Sequence, residues 1–214
     1  MAVFSIVAVP LAYLIVASIL YSELQLKRET WKVFFTSMLC SAPFFIILSE
    51  FRGGRLEIFS MGSLYFHSLL NEHLFLAVFP SALYVVFLHF FPLYREDADP
   101  DNASHKALTF FAGFYSLTVL TDFLLFAGFS DYYQLFLLPC LRIGSITAIA
   151  LGFSKYIHET GWRKYLFPIL GLLSTAAAAV PSMLYLGNYT TLALLATLLF
   201  LGASLGAFYF WRKY

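Results

Sequence analysis

Two charged residues lie within otherwise apolar stretches of the chain, Asp122 and Arg142. A charged side chain at the centre of a bilayer costs about 2.5 to 3.5 kcal/mol on insertion scales, so it usually has a charged partner or faces water. A carboxylate and a guanidinium can form a bidentate hydrogen-bonded pair, and a guanidinium can equally bind an anionic solute. We therefore expect the chemistry of this chain to centre on these two side chains.

Polar residues accompany both charges at helical spacing. Tyr115, Thr118 and Asp122 are separated by three and four residues, which places them on one face of a helix. Ser145 follows Arg142 by about one helical turn. These five residues predict a narrow polar cavity that binds a substrate. The alternative is a buried ion pair that only fastens two helices together.

A second polar group precedes the third apolar stretch and consists of His67, Asn71, Glu72 and His73. A helix turns by about 600° between His67 and His73, so the two rings do not share a face, and the spacing matches no standard zinc motif. We predict no metal ligand and no cofactor in this chain. We interpret the group as an external polar site, where histidine senses protons or where His67 and Glu72 act on a lipid.

The composition is that of a membrane protein. Of 214 residues, 61% are hydrophobic and only 12% are charged, whereas soluble domains carry about 25% charged residues. A net charge of +1 without a basic stripe argues against nucleic acid as a partner. Cys40 and Cys140 both fall in apolar stretches, which favours packing roles over a disulfide or a zinc site.

The apolar stretches predict an all-α fold, a single multi-pass bundle of seven transmembrane helices over residues 1–214. Each stretch is long enough, at about 1.5 Å per residue, to cross about 30 Å of hydrocarbon. The predicted spans are 3–21, 33–49, 74–92, 107–128, 131–153, 165–186 and 189–210.

The basic residues of the connections predict the orientation of the bundle. With the amino end outside, the cytoplasmic segments contain ten lysines and arginines and the external segments only two. The carboxyl end is then cytoplasmic, and the plasma (inner) membrane is the expected location. Segment 50–73 becomes the one long external connection, with an interfacial helix. The two-residue connections 129–130 and 187–188 make their flanking spans antiparallel neighbours.

These spans also predict the depth of the two charges. Asp122 lies about 9 Å and Arg142 about 16 Å from the outer ends of their spans. Side chains lean toward the amino end of their own helix, so in antiparallel spans these two groups lean toward each other. An arginine is long enough to close the remaining gap of about 7 Å.

Prolines indicate an internal repeat. Laying the first span over the fifth aligns Pro10 with Pro139, and the spans that follow contain Pro43 and Pro181. This allows two parallel three-helix repeats joined by the fourth span, a 3+1+3 plan of a kind known among transporters. The layout resembles the SWEET and PQ-loop sugar transporters, although no Pro-Gln dipeptide occurs. The resemblance implies a carrier whose proline-bearing helices act as hinges.

Several enzyme and receptor classes do not fit the predicted spans. The last span lacks the lysine of a retinal protein, and the fourth to seventh spans lack the histidines of rhomboid-type and ceramidase-like hydrolases. Aspartyl intramembrane proteases need a second membrane aspartate beside Asp122. These absences make an enzyme the less favoured interpretation.

We expect a membrane carrier or channel for a small polar or anionic solute, with Arg142 binding the solute and Asp122 holding or releasing it. The alternatives are a membrane sensor or integral subunit of a larger membrane complex, and a lipid-modifying membrane enzyme. The expected partners are the lipid bilayer, the solute, and other membrane subunits or further copies of this chain.

Overall fold

The chain folds into helices wherever its structure is described. The computed structural model describes residues 28–53, 65–66, 68–91, 100–125 and 137–211. The regular structure in these ranges is helical throughout, without strands. The predicted all-α class is confirmed.

Seven α-helices and one π-helix make up the described part. In chain order they are α1 (Arg28–Gly53), a π-helix (Leu70–Val78), α2 (Phe79–Phe90), α3 (Pro100–Leu125), α4 (Leu138–His158), α5 (Arg163–Ala176), α6 (Ala179–Leu186) and α7 (Thr190–Trp211). The π-helix runs directly into α2, and only two residues separate α5 from α6. The described chain therefore contains six helical segments rather than seven.

These six segments overlap six of the seven predicted spans, and the predicted span 3–21 lies outside the described residues. Three segments are long and apolar enough to cross a membrane: Leu138–Ile157, Arg163–Leu186 and Thr190–Trp211. Together with the helical architecture, they indicate an integral membrane protein. The predicted turn 129–130 also lies outside the described residues.

Most helices extend beyond the predicted spans: α1 covers Arg28–Gly53 against 33–49, and α3 begins at Pro100 against 107. α4 ends at His158 rather than at 153, because Lys155 is buried and stays within the helix. The π-helix begins at Leu70, so the last residues of the predicted interfacial segment 50–73 belong to the third helical segment. Polar residues at both places led the sequence pattern to make the predicted span too short.

The sixth predicted span is interrupted at Ala177 and Ala178, between α5 and α6. Pro181 explains the interruption, because proline lacks an N–H and its ring clashes with the carbonyl four residues earlier, that of Ala177. The chain forms tighter hydrogen bonds here, from Ala178 N–H to the Thr175 carbonyl (3.0 Å) and from Val180 N–H to the Ala177 carbonyl (3.2 Å). A segment of membrane length thus contains a break in its α-helical bonding.

The predicted turn at 187–188 is present and joins α6 to α7. Asn188 has a φ of 65°, a left-handed conformation that asparagine tolerates better than most residues. Its N–H bonds to the carbonyl of Tyr185 (2.9 Å), and the N–H of Tyr189 bonds to that of Leu184 (2.8 Å). This is the Schellman pattern that ends a helix. It lets α6 and α7 pack against each other.

α4 is the central helix of the described bundle. It is buried over most of its length, whereas the segment of α5 and α6 and helix α7 are largely exposed. It packs against α3, α5 and α7. A Cβ added at Gly152 would lie 2.7 Å from the carbonyl oxygen of Phe167, and one at Gly171 would lie 3.0 Å from that of Ala148. Such small residues let the backbones of membrane helices approach closely.

The outer face of α7 is apolar. Its buried side carries Ala193, Thr197, Ser204 and Phe208, while Leu199 on the outside is 74% exposed. Small and polar residues inside with leucine outside are expected where lipid surrounds a helix.

Candidate functional site

Arg142 lies in the second turn of α4 and is completely buried, with 1% of its surface exposed. It has the largest volume among the side chains that are fully buried in the described part. A guanidinium keeps its charge at any physiological pH, so burying it requires hydrogen-bond acceptors or an opposite charge close by. The interior of the bundle around α4 must therefore supply such groups or bind them.

The side of α4 that carries Arg142 faces α3. Ser145, Ile149 and Phe153 follow it at three, seven and eleven residues, positions that return to one side of a helix, and all three are buried. The ring of Phe153 contacts that of Phe111 in α3, with centroids 5.8 Å apart. Arg142 therefore lies on the side of α4 that contacts α3 at Phe153.

The polar stripe predicted on α3 occupies the matching face. Tyr115, Thr118 and Asp122 follow Phe111 at four, seven and eleven residues within one continuous helix. Tyr115 is buried. The side chains of Thr118 and Asp122 lie outside the described part, so their backbone positions alone place them on this face.

The two helices run in opposite directions. Phe111 lies about 21 Å before the end of α3 at Leu125, and Phe153 lies about 22 Å after the start of α4 at Leu138. If the helices were parallel, Leu125 and Leu138 would be more than about 40 Å apart, close to the limit that the intervening chain reaches fully extended. An antiparallel arrangement brings the two ends to the same level.

An antiparallel register extended from this contact predicts that positions 122 and 142 lie opposite each other. Asp122 comes eleven residues after Phe111, and Arg142 comes eleven residues before Phe153, so both lie about 16 Å from the aromatic contact in the same direction. Eleven residues are about three helical turns, which returns both positions to the interface. An ideal register through this contact predicts no level difference between the two positions, where the span ends predict about 7 Å. The Asp122–Arg142 pair stays a prediction, now supported by the backbone.

Ser145 differs from the other hydroxyl residues of α4. A serine or threonine in a helix usually donates to a carbonyl three or four residues earlier, as Thr147 does to Ile143 (3.0 Å) and Ser154 to Leu151 (2.7 Å). The Oγ of Ser145 is buried and makes no hydrogen bond to any residue that the structure describes. A buried polar atom without a partner costs about 1 to 3 kcal/mol. The Ser145 Oγ can still form a hydrogen bond, and it belongs to a residue one helical turn from Arg142.

The predicted external site is only partly described. His67 lies outside the described residues, and Asn71 and Glu72 are described as backbone of the π-helix without their side chains. His73 is half-buried. Its Nδ1 lies 2.9 Å from Oγ1 of Thr175 in α5.

The hydrogen bonds of Thr175 assign the proton on His73. The Thr175 hydroxyl donates its single proton to the Leu172 carbonyl (2.6 Å), so it accepts from Nδ1–H of the histidine. In the neutral ring, Nε2 then carries the lone pair. This contact joins the π-helix to α5 just before the break at Ala177, and π-helical turns occur frequently at functional sites.

Sequence reasoning missed Thr175 as the partner of His73. The two residues are 102 positions apart, and nothing in the local pattern links them. The nearby irregularities were visible in part: Pro181 follows Thr175, and Pro80 follows the π-helix at the start of α2. Prolines mark where α-helical bonding fails, but they do not identify a contact between helices.

The cysteines and the metal ligands add little to the site. Cys40 is exposed on α1 and Cys140 is half-buried on α4, and both are free thiols. Exposure at Cys40 differs from the predicted packing role. Within the described ranges, no three residues of the types His, Cys, Asp or Glu lie close enough together to hold a metal ion.

Of the predicted site residues, Arg142, Ser145 and Tyr115 are described with their side chains, whereas Thr118 and Asp122 are described by the backbone of α3 alone. The resemblance to the SWEET and PQ-loop transporters rests on predicted helix order and prolines, of which Pro10 lies outside the described residues. No protein-family model, no curated protein and no solved structure matches this chain.

Proposed function

We propose that the chain is a multi-pass membrane carrier for a small anionic solute, which binds between α3 and α4. The observation that carries the proposal is the buried Ser145 hydroxyl without a partner, one turn from the buried Arg142. A carboxylate would accept hydrogen bonds from the guanidinium and from this hydroxyl together. Tyr115, buried on the facing helix, contributes a phenol to the same interface.

Asp122 serves as the internal anion of this carrier. Its position faces that of Arg142, so its carboxylate neutralises the guanidinium when no solute is bound. The acid group of an incoming solute replaces it, which avoids leaving a buried charge without a partner. Exchange of one anion for another would couple binding to separation of α3 from α4.

A carrier fits the burial of Arg142 better than an open channel does. A continuous aqueous pore would leave the guanidinium hydrated, whereas a carrier passes through a closed state that excludes water from the site. The break at Ala177 and Ala178 and the π-helix supply places where helices change direction with few broken hydrogen bonds. Seven spans including 3–21, the 3+1+3 repeat and the plasma membrane location belong to this proposal.

Uptake by proteoliposomes tests the proposal directly. Purified protein is reconstituted and supplied with labelled lactate, succinate and glutamate, and we expect accumulation of at least one. Ser145→Ala removes a hydrogen bond to a charged group, about 1.5 to 3 kcal/mol, and should weaken apparent affinity about ten- to a hundredfold. Ser154→Ala is the matched control, because its hydroxyl already bonds to its own helix. Arg142→Gln should abolish uptake.

A correctly inserted Arg142→Gln variant that transports like the natural chain would contradict the proposal. Equal losses in Ser145→Ala and Ser154→Ala would also contradict it, because they would show a general packing effect. Absence of flux for all three acids would remove the class of solute proposed here.

A second candidate is a membrane sensor or an integral subunit of a larger complex, in which the charged pair only fastens α3 to α4. The complete enclosure of Arg142 favours it. The two candidates differ in thermal unfolding, because a ligand that binds the folded state raises its stability. Added acids should raise the melting temperature of a carrier and leave that of a purely structural pair unchanged. The third expectation, a lipid-modifying enzyme at His67 and Glu72, lies outside the described side chains.

A further inference from the structure

The turn between α4 and α5 gathers basic and aromatic side chains at one end of the bundle. The two helices form a hairpin in which Gly152 touches the backbone at Phe167. One turn further toward the end, the rings of Tyr156 and Tyr165 approach to 6.2 Å between centroids. The residues beyond this contact, up to the start of α5 at Arg163, form the turn itself.

Lys155 is the unusual member of this group. Only 6% of its surface is exposed, although lysine is almost never buried without a partner. Its side chain makes no hydrogen bond or ion pair with any residue in the described ranges, and its Nζ is not fully buried. Its ammonium is therefore the part that reaches the surface. Lys155 follows Gly152 by three residues and so lies on the side of α4 that faces α5, with Glu159 at the C-cap of the same helix.

Two further cations lie at the same turn. Arg163 and Lys164 begin α5, where the N-cap residue Trp162 provides no side-chain hydrogen bond to the free backbone N–H groups. The partial positive charge of a helix amino end adds to that of these side chains. The Nζ of Lys164 lies 4.6 Å from the centre of the Tyr156 ring, a cation–π contact that holds it beside the turn.

The surroundings of the turn are those of a lipid interface. Trp162 is 69% exposed and Tyr165 is also exposed, and both are residue types enriched at the level of lipid headgroups. One turn along α5, Ile169 and Leu170 present an exposed apolar surface. A phosphate at the turn would thus have acyl chains alongside α5.

We propose that Lys155, Arg163 and Lys164 bind the phosphate of an anionic phospholipid headgroup at the turn between α4 and α5. Three cations against one carboxylate, Glu159, leave a net positive site for a phosphate. The buried Lys155 gives the site its selectivity, because its ammonium needs an anion more than an exposed lysine does. Free inorganic phosphate has the same charge chemistry but no acyl chain to contact α5.

Native mass spectrometry of the full chain in neutral detergent tests the proposal. The protein is titrated with phosphatidylglycerol, phosphatidylcholine and inorganic phosphate, and bound lipid is counted. We expect phosphatidylglycerol to bind at least about fivefold more tightly than phosphatidylcholine. Lys155→Met keeps the apolar stem and should weaken phosphatidylglycerol binding by about fivefold, the factor that corresponds to about 1 kcal/mol per basic side chain. Lys32→Met, at an exposed position on α1, should have no effect.

Three results would overturn the proposal: unchanged binding in Lys155→Met, an equal loss in Lys32→Met, or complete displacement of the lipid by millimolar inorganic phosphate. The last result would identify the ligand as free phosphate. If Lys155→Met fails to fold, Lys164→Met keeps the test, because that side chain lies on the surface of the turn and should also weaken binding about fivefold.

Discussion

At the scale of single residues, the interior of this bundle holds polar groups that its own helices only partly satisfy. Thr147 and Ser154 satisfy themselves on α4, whereas Ser145 does not. All three hydroxyl residues are buried in the same helix. Neither the type of residue nor its burial therefore explains why only Ser145 lacks a hydrogen bond. It points instead to the surroundings of each side chain, and Ser145 lies one helical turn from Arg142.

His105, near the start of α3, makes stability depend on pH. Burial and the neighbouring Lys106 lower the pKa of His105 from 6.5 to about 4. Between these two values the histidine binds a proton in the unfolded chain but not in the folded protein. Stability is then complete above about pH 6.5 and falls as the pH drops toward 4, by at most about 3 kcal/mol. The melting temperature in detergent should fall between pH 7 and pH 5.

The variant His105→Gln should lose most of this pH dependence. His89→Gln, at an exposed position at the end of α2, is the matched control and should keep it. If both variants respond to pH as the natural chain does, another group is responsible.

At the scale of helices, the register of α3 against α4 decides whether the two charges meet. This register depends on the contact between Phe111 and Phe153 and on the rise of a helix. Thr118 and Ile146 occupy the same level in this register, seven residues from Phe111 and Phe153 respectively.

Cysteines at these two positions should be joined by a short thiol-reactive cross-linker. The change is Thr118→Cys with Ile146→Cys, in a chain whose Cys40 and Cys140 are replaced by alanine. Thr118→Cys with Ser154→Cys is the control, because these positions lie about 12 Å apart along the helix axes. Denaturing electrophoresis after cleavage between α3 and α4 measures the link. Cross-linking of the control pair alone would show that the register is wrong.

The glycines of the bundle should differ sharply in their tolerance of a methyl group. Gly152→Ala places a Cβ against the backbone at Phe167 and should lower the free energy of unfolding by about 1 to 3 kcal/mol. Gly202→Ala in α7 meets no atom within 4 Å and should be neutral or stabilising by up to about 1 kcal/mol, because alanine favours helix. Thermal melts of both variants measure the difference, and equal melting temperatures would contradict close packing at Gly152.

Much of this could be read from the sequence, for physical reasons. Apolar runs of membrane length predict helices, and periodicity alone placed Ser145 on the side of Arg142 and Tyr115 on that of Asp122. The π-helix and the contact between His73 and Thr175 could not be predicted, because they depend on which distant helix packs alongside. The depths of Asp122 and Arg142 stay predictions, since a hydropathy pattern blurs helix ends by several residues.

At the scale of the whole molecule, the distribution of basic residues predicts which ends face the cytoplasm. The turn after α4 and the turn before α7 lie at opposite ends of the segment formed by α5 and α6, so they should face opposite sides of the membrane. Thr160 and Tyr189 are exposed residues at these two turns.

A membrane-impermeant maleimide should therefore label the two turns from different sides. With Cys40 and Cys140 replaced, Tyr189→Cys should react in intact cells, and Thr160→Cys only after permeabilisation. The reverse pattern would invert the predicted orientation, and labelling of both from one side would mean that this segment does not cross the membrane.

The central place of α4 also bears on how the protein is made. A helix that carries an arginine partitions poorly into lipid by itself, and α5 and α7, which cover it, are synthesised later. Only α3 and the helices before it are present when α4 emerges from the ribosome, and α3 brings the Asp122 position to the level of Arg142. The two helices should therefore leave the insertion machinery as a neutralised hairpin, so that the charges serve biogenesis before they serve any solute.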